Sequence, residues 1–373
     1  MKAIKFISEL KELGFKNFYG VPDSLLSDIS KSLELDFKDS LLHIITQNEG
    51  SAVGIAMGDY LSNNHPSVVY LQNSGLGNIV NPISSLLTKE VYAIPLLLLI
   101  GWRGQPGVQD EPQHKFQGKI TLDQLALLGI DYQIVSKSSP PDFDNMNATL
   151  RSNSQFAFIF EKDFFDKDKR TLEKKTDFIH RETYIKKIYE NFKNDSIFIS
   201  TTGKISRELN MLVEEDPEKS SVFYIVGGMG YASSVALGVA LSNPETRVIC
   251  LDGDGALLMH MGILPIIGDQ KLDNYFHYIL NNNSHESVGN QPTVAGRINI
   301  ESIVKGANYK HYQKVINLND MEKHIKDSSD IVGPALIEII TSQYSNPNLP
   351  RPKNSPIENK KFFMNNLKSI NEK

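Results

Sequence analysis

The chain has 373 residues, enough for two or three domains that each bury a core. Its apolar and charged fractions, 40% and 22%, are those of an ordinary soluble protein, and a formal net charge of −5 argues against nucleic acid or an anionic membrane as a partner. Cys250 is the only cysteine, which excludes an intrachain disulfide and a thiolate metal cluster; within a predicted strand it reads as a small core residue.

Lys2–Leu13 carries apolar residues at helical spacing and stops at Gly14. Charges interrupt the apolar positions of Met1–Leu10, unlike a signal peptide, and the greasy run Val91–Ile100 is short for a bilayer span and contains Pro95; the expectation is a cytoplasmic protein. Phe18–Ser24 reads as strand, turn and helix start, where Asp23 or Ser24 suits a helix cap. Leu42–Thr46 is a predicted strand. After it come Gln47-Asn48-Glu49 and the small residues Gly50, Ala52, Gly54, Ala56 and Gly58, the pattern of a closely packed helix. Val68–Leu71 and Ile94–Ile100 are strands leading into glycine-rich turns. Strands alternating with helices predict a parallel α/β domain over residues 1–165.

Residues 166–185 carry a mixed charge run with few apolar anchors and read as a solvated linker. Over residues 186–373 the alternation returns: strands at Ser196–Ser200 and Val222–Val226, a small-residue helix at Tyr231–Leu241, a strand at Val248–Leu251, a crossover helix at Ala256–Ile267 and a strand at Tyr275–Leu280. Pro265 falls inside that crossover helix and predicts a kink or break. A proline-rich tail after Ser342 precedes a short final helix. Two halves of similar size point to a duplicated architecture, although no sequence repeat relates them.

Chemistry concentrates at Leu251-Asp252-Gly253-Asp254-Gly255 and Asn281-Asn282-Asn283. Two parallel strands joined by a helix present their C-terminal ends on one sheet edge, where open α/β folds bind ligands, so Asp254 and Asn282 should meet there. A carboxylate and a carboxamide oxygen suit Mg²⁺, which takes oxygen ligands and often substrate phosphates. Gly255 lets the backbone approach a phosphate at the helix start. A dinucleotide reading fails, because Gly227-Gly228-Met229-Gly230 lacks the Gly-x-Gly-x-x-Gly spacing.

The Gly-Asp-Gly and Asn-Asn pair resembles the metal-binding motif of thiamine diphosphate (ThDP) enzymes. Agreement extends to Gly20-Val21-Pro22-Asp23-Ser24, Asn48-Glu49-Gly50, Gln72–Asn78, Gly101-Trp102-Arg103-Gly104, Asp110–His114, Thr201-Thr202-Gly203, Ser206-Arg207-Glu208, Glu286-Ser287 and Gln291-Pro292-Thr293. Over almost its whole length the chain resembles the phosphonopyruvate decarboxylase family of ThDP-dependent decarboxylases, which lack the central domain of larger relatives. The resemblance implies two ThDP-binding-type domains, one for the pyrimidine and one for the diphosphate, each a parallel sheet flanked by helices. It implies ThDP and Mg²⁺ as cofactors, a small 2-oxo acid as substrate, and conversion of 3-phosphonopyruvate to phosphonoacetaldehyde and CO₂. Asp254, Asn282 and the Ser284 carbonyl would hold the metal, and Glu49 would activate the pyrimidine ring. Thr202, the Gly227 carbonyl, Met229 as a wedge under the bent cofactor, Gly255 and Ala256 would complete the cofactor site. Asp23 and His114 would handle protons, and Arg103, Arg207 and Arg297 are candidates for the acidic group of the substrate.

Asn290 stands where that pattern expects glycine, and His285 where it expects tyrosine. The family arrangement also implies a homo-oligomer with the active site at a subunit interface. Sulfopyruvate decarboxylase, a carboligase, and a ThDP-binding protein without turnover remain the competing readings.

Overall fold

The computed structural model describes residues 1–170, 172, 174, 176–215 and 221–371, and divides into two compact units, Met1–Leu172 and Glu173–Lys373. Among the described residues, unit 1 holds six strands: β1 (Asn17–Gly20), β2 (Leu42–Ile45), β3 (Val68–Gln72), β4 (Leu96–Gly101), β5 (Asp131–Val135) and β6 (Gln155–Phe160). All their pairings are parallel, in the order β2-β1-β3-β4-β6-β5. Because helices cover both faces of a parallel sheet, its central strands read as continuous apolar runs. Leu97, Leu99, Phe156, Phe158 and Phe160 face one core with Phe6, Ile7 and Leu10 of the first helix. Leu96, Leu98, Ile100, Ala157 and Ile159 face the other, against Ala52, Val53 and Ala56 of helix Glu49–Asn63.

Unit 2 contains β7 (Ser196–Ser200), β8 (Ser221–Tyr224), β9 (Arg247–Gly253), β10 (Tyr275–Asn281), a two-stranded ribbon of β11 (Ser284–His285) and β12 (Gln291–Pro292), then β13 (His311–Val315) and β14 (Ala335–Ile340). Its main sheet, also wholly parallel, runs β13-β14-β10-β9-β7-β8. Read from the other edge, that is the strand order of unit 1. The duplicated architecture expected from the sequence is therefore present in the topology itself. In each sheet the connections reverse direction between the first and third strands, the crevice where open α/β folds take ligands. β1 and β3 flank that crevice in unit 1, and β7 and β9 flank it in unit 2.

Some elements differ from expectation. The crossover helix is two helices, Asp254–Met259 and Ile263–Gln270, interrupted at 260–262. Pro265 sits in the first turn of the second, where its missing N–H needs no partner, so the break precedes the proline. The division between units falls inside the expected linker. Within that charged stretch Lys31 Nζ donates to the Asp168 carbonyl, Arg170 bridges Asp36 and Asp168, and Arg181 already begins a helix of unit 2. Among the described residues, no helix is long and apolar enough to cross a membrane.

Candidate active site

In unit 2 the parallel register of β9 and β10 sets Leu280 beside Gly253. The chains leaving both strands consequently bring Asp254 and Asn282 together. Asp254 is buried, and its Oδ2 accepts a hydrogen bond from Thr293 Oγ1 at 2.5 Å. Burial pushes its carboxyl up to about 6, against the Thr293 hydroxyl and the backbone N–H groups of Asp254, Gly255 and Asn282. Every donor in that group is neutral, so none of them balances the charge of the Asp254 carboxylate. Asn282 is also buried; its Oδ1 accepts the Ser284 N–H at 3.0 Å and its Nδ2 donates to Glu286 Oε2 at 3.3 Å. Glu286 is itself anchored by Arg181, Lys204 and Ser345, and Arg181 makes a two-pronged pair with buried Glu208. This network orients the Asn282 amide and keeps its carboxamide oxygen on the same edge as the Asp254 carboxylate, one turn before Ser284. All-oxygen donor sets suit a hard divalent cation, and these residues fit Mg²⁺.

Met229 closes on the same spot from the loop after β8. A side chain at Gly255 would meet Met229 Cε at 3.1 Å and the His285 ring at 3.4 Å, so methionine, imidazole and the helix start converge. Burial pushes the His285 imidazole down to about 4, which keeps it neutral near pH 7. Thr202, just past β7, donates from Oγ1 to the Val226 carbonyl at 2.9 Å and so ties its loop to the approach of Gly227. Ala256 is buried in the first turn of helix Asp254–Met259. Arg207 lies in the first turn of helix Lys204–Glu215 and is half-buried, whereas Arg297 is exposed at the end of the turn Ala295–Arg297.

In unit 1, Glu49 opens the helix after β2 and is buried; Asn48 caps that helix by accepting the Gly50 N–H on its side chain. Glu49 Oε2 accepts from Asn78 Nδ2 at 2.6 Å. Gly75 lies against it: a β-carbon there would sit 2.6 Å from the Glu49 carboxyl carbon, so the carboxylate would have to move. Asp23 is buried under Gly101, with Oδ2 accepting the N–H groups of Leu25 and Leu26 and Oδ1 without a partner among the described residues. Burial pushes its carboxyl up to about 6 despite the nearby Arg103 guanidinium and three backbone N–H groups.

Arg103 is committed within its own unit: Nε and Nη2 grip Asp110 at 2.8 and 2.5 Å, and Nη1 donates to Ser24 Oγ at 2.7 Å. Asp110 also meets His114 Nδ1 at 2.9 Å. Burial alone would raise the Asp110 carboxyl, but the Arg103 fork, His114 and two backbone N–H groups hold it well below the usual range. Asp23, Arg103 and His114 are thus linked through Ser24 and Asp110. Sequence reasoning assigned no role to Thr293, Asn78 or Glu286. All three lie in stretches whose pattern had been singled out, but their partners are 39, 29 and 4 residues away and only the fold pairs them.

Residues 3–127 match the thiamine pyrophosphate enzyme N-terminal TPP binding domain, and residues 201–339 match the C-terminal TPP binding domain. The fold and these two matches define the class, an enzyme that works with thiamine diphosphate. The phosphonopyruvate decarboxylase of Streptomyces hygroscopicus is 30% identical, covering 96% of this chain and 92% of its own length. That of Streptomyces viridochromogenes is 29% identical over 95% and 92%, and the sulfopyruvate decarboxylase of Methanosarcina acetivorans is 26% identical over 91% and 94%. The chain belongs to the thiamine diphosphate-dependent decarboxylase family that contains these relatives, and it is a carboxy-lyase.

Proposed function

We propose that the chain decarboxylates 3-phosphonopyruvate to phosphonoacetaldehyde and CO₂, using ThDP together with Mg²⁺. The observation that carries the cofactor half of this reading is the convergence of Asp254, Asn282, Ser284 and Met229 around Gly255. Asp254, Asn282 and the Ser284 carbonyl would hold Mg²⁺, and Thr202, Gly227 and Ala256 would line the cofactor. Met229 would pack against the cofactor, and Glu49, steadied by Asn78, would bond its pyrimidine ring. When bound, ThDP supplies the electron sink that lets CO₂ leave. Burial pushes the Asp23 carboxyl up to about 6, and His114 is held by Asp110, which makes these two the candidates to hold or pass a proton near the substrate. The Arg103 fork is occupied by Asp110 and Ser24; of its partners, neutral Ser24 is the one an acidic substrate group would displace.

Two relatives named as phosphonopyruvate decarboxylases span nearly the full chain, which supports the phosphonate substrate. The full-length sulfopyruvate decarboxylase relative supports sulfopyruvate as the second reading. The test is aldehyde formation from 3-phosphonopyruvate, sulfopyruvate and pyruvate in parallel, with and without ThDP and Mg²⁺. Cofactor-dependent turnover fastest on phosphonopyruvate is expected. Faster turnover on sulfopyruvate moves the protein to the second reading, and ThDP binding without turnover on any of the three refutes both.

We further infer that the working form is a homo-oligomer in which Glu49 of one chain serves Asp254 of another. Exposed Leu61 on the Glu49 helix, and exposed Val226 and Tyr231 beside Met229, are apolar side chains that such an interface would cover. Mixing inactive Glu49→Ala chains with inactive Asp254→Ala chains should restore turnover; no recovery after subunit exchange rejects the shared site.

A further inference from the structure

The turn that carries Asn282 and Ser284 is closed by a ring of side-chain hydrogen bonds. Gln343, which follows β14, donates from Nε2 to the Asn282 carbonyl at 3.0 Å, 61 residues away in sequence. Its Oε1 accepts from Asn290 Nδ2 at 3.3 Å, and Asn290 Oδ1 in turn accepts from Ser284 Oγ at 2.8 Å. All four residues are buried, at 6, 6, 8 and 6% exposure for Asn282, Ser284, Asn290 and Gln343. Two buried carboxamides cost stability unless their donors and acceptors are paired, and here each uses both ends within the ring. Asn290 has φ +67°, a left-handed conformation that glycine or asparagine adopts readily. Glycine would satisfy the backbone alone. Asparagine at that position adds the amide that links β11 to the end of β14.

Resting on the metal-site reading above, we propose that Asn290 and Gln343 are positioning residues that set the affinity of the Asn282–Ser284 turn for its divalent cation. Neither touches the cation. Each fixes another group of a residue that supplies a ligand oxygen: Gln343 the Asn282 main-chain carbonyl, Asn290 the Ser284 hydroxyl. Partners of metal ligands at this remove typically change metal affinity by about tenfold or more when deleted.

The test uses full-length Asn290→Gly, Gln343→Met and the double variant, with Mn²⁺ as a paramagnetic probe titrated in saturating ThDP. Asn290→Gly keeps the backbone permitted while removing the amide, and Gln343→Met conserves volume, so a folding failure in one leaves the other to report. Each single variant should bind Mn²⁺ roughly tenfold more weakly, with kcat at saturating cation unchanged. The double variant should be no weaker than the singles, because all three cut one ring. Parent-like Mn²⁺ affinity in both singles, or a loss of kcat with unchanged affinity, overturns the proposal. Asp254→Ala is the control for the site. If it loses Mn²⁺ while the ring variants do not, only the ring assignment fails; if it binds Mn²⁺ like the parent, the metal site and the ring fall together.

Discussion

Replacing Asp23 by asparagine should make the protein more stable at neutral pH while impairing turnover. The buried carboxyl has an ordinary value of 3.8 and is pushed to about 6 in the folded state. In the unfolded chain it ionises near 3.8, so between about 4 and 6 the folded state binds the extra proton. Stability from this group is therefore greatest at low pH and is lost as pH rises through about 6. The shift of roughly two units at 1.36 kcal/mol each amounts to about 3 kcal/mol at pH 7 and above. The substituted asparagine would keep an oxygen for the Leu25 and Leu26 N–H groups but would bury an amide N–H₂ where Oδ1 has no partner, costing about 1–2 kcal/mol at every pH. The net gain at pH 8 is then about 1–2 kcal/mol, and the variant should be the less stable protein at pH 4. Trp102 is the only tryptophan, is buried in the same unit with its Nε1 on the Gly118 carbonyl, and adjoins Gly101 over Asp23. Its fluorescence therefore reports the unfolding of unit 1. Thermal midpoints of parent and variant should cross between pH 4 and 8; a difference that stays constant across that range refutes the burial argument.

Glu49→Ala should abolish decarboxylation while ThDP and Mg²⁺ still bind by calorimetry; turnover at the parent rate removes Glu49 from the mechanism. Gly75→Ala should resemble it, since the added methyl collides with the Glu49 carboxyl group, and it should lower kcat with little change in the affinity for Mg²⁺. Thr293→Val removes the hydroxyl that donates to Asp254, an effect of about 1–3 kcal/mol expected to appear as weaker Mg²⁺ binding at pH 7, measured as the cation concentration for half-maximal turnover. Arg181→Met leaves Glu208 buried without its two-pronged partner and should destabilise unit 2 by about 3–5 kcal/mol in urea unfolding followed by circular dichroism. A loss below about 1 kcal/mol would mean that Glu208 simply protonates.

Local pattern accounts for much of this protein. Apolar runs such as Leu96–Ile100 and Val248–Leu251 announce strands buried on both faces, and the glycines and acids after them mark the ligand edge. The spacing of Asp254 and Asn282 sufficed to predict their meeting, because a βαβ unit has one favoured geometry. His285 and Asn290 were visible as departures, but only the left-handed backbone at Asn290 explains why asparagine is accepted there.

Legible in the chain alone are the alternation of strands and helices, the positions of the loops that carry chemistry, and the pair of residues suited to a metal. It took the folded protein to show that both halves share one strand order, that Thr293 holds Asp254 and Asn78 holds Glu49, and that Arg103 is already engaged by Asp110 and Ser24. The physical reason is range. Hydrophobic period and turn chemistry act over a few residues and are written locally, whereas a side chain's hydrogen-bond partner depends on which strand ends the crossovers bring to the same edge.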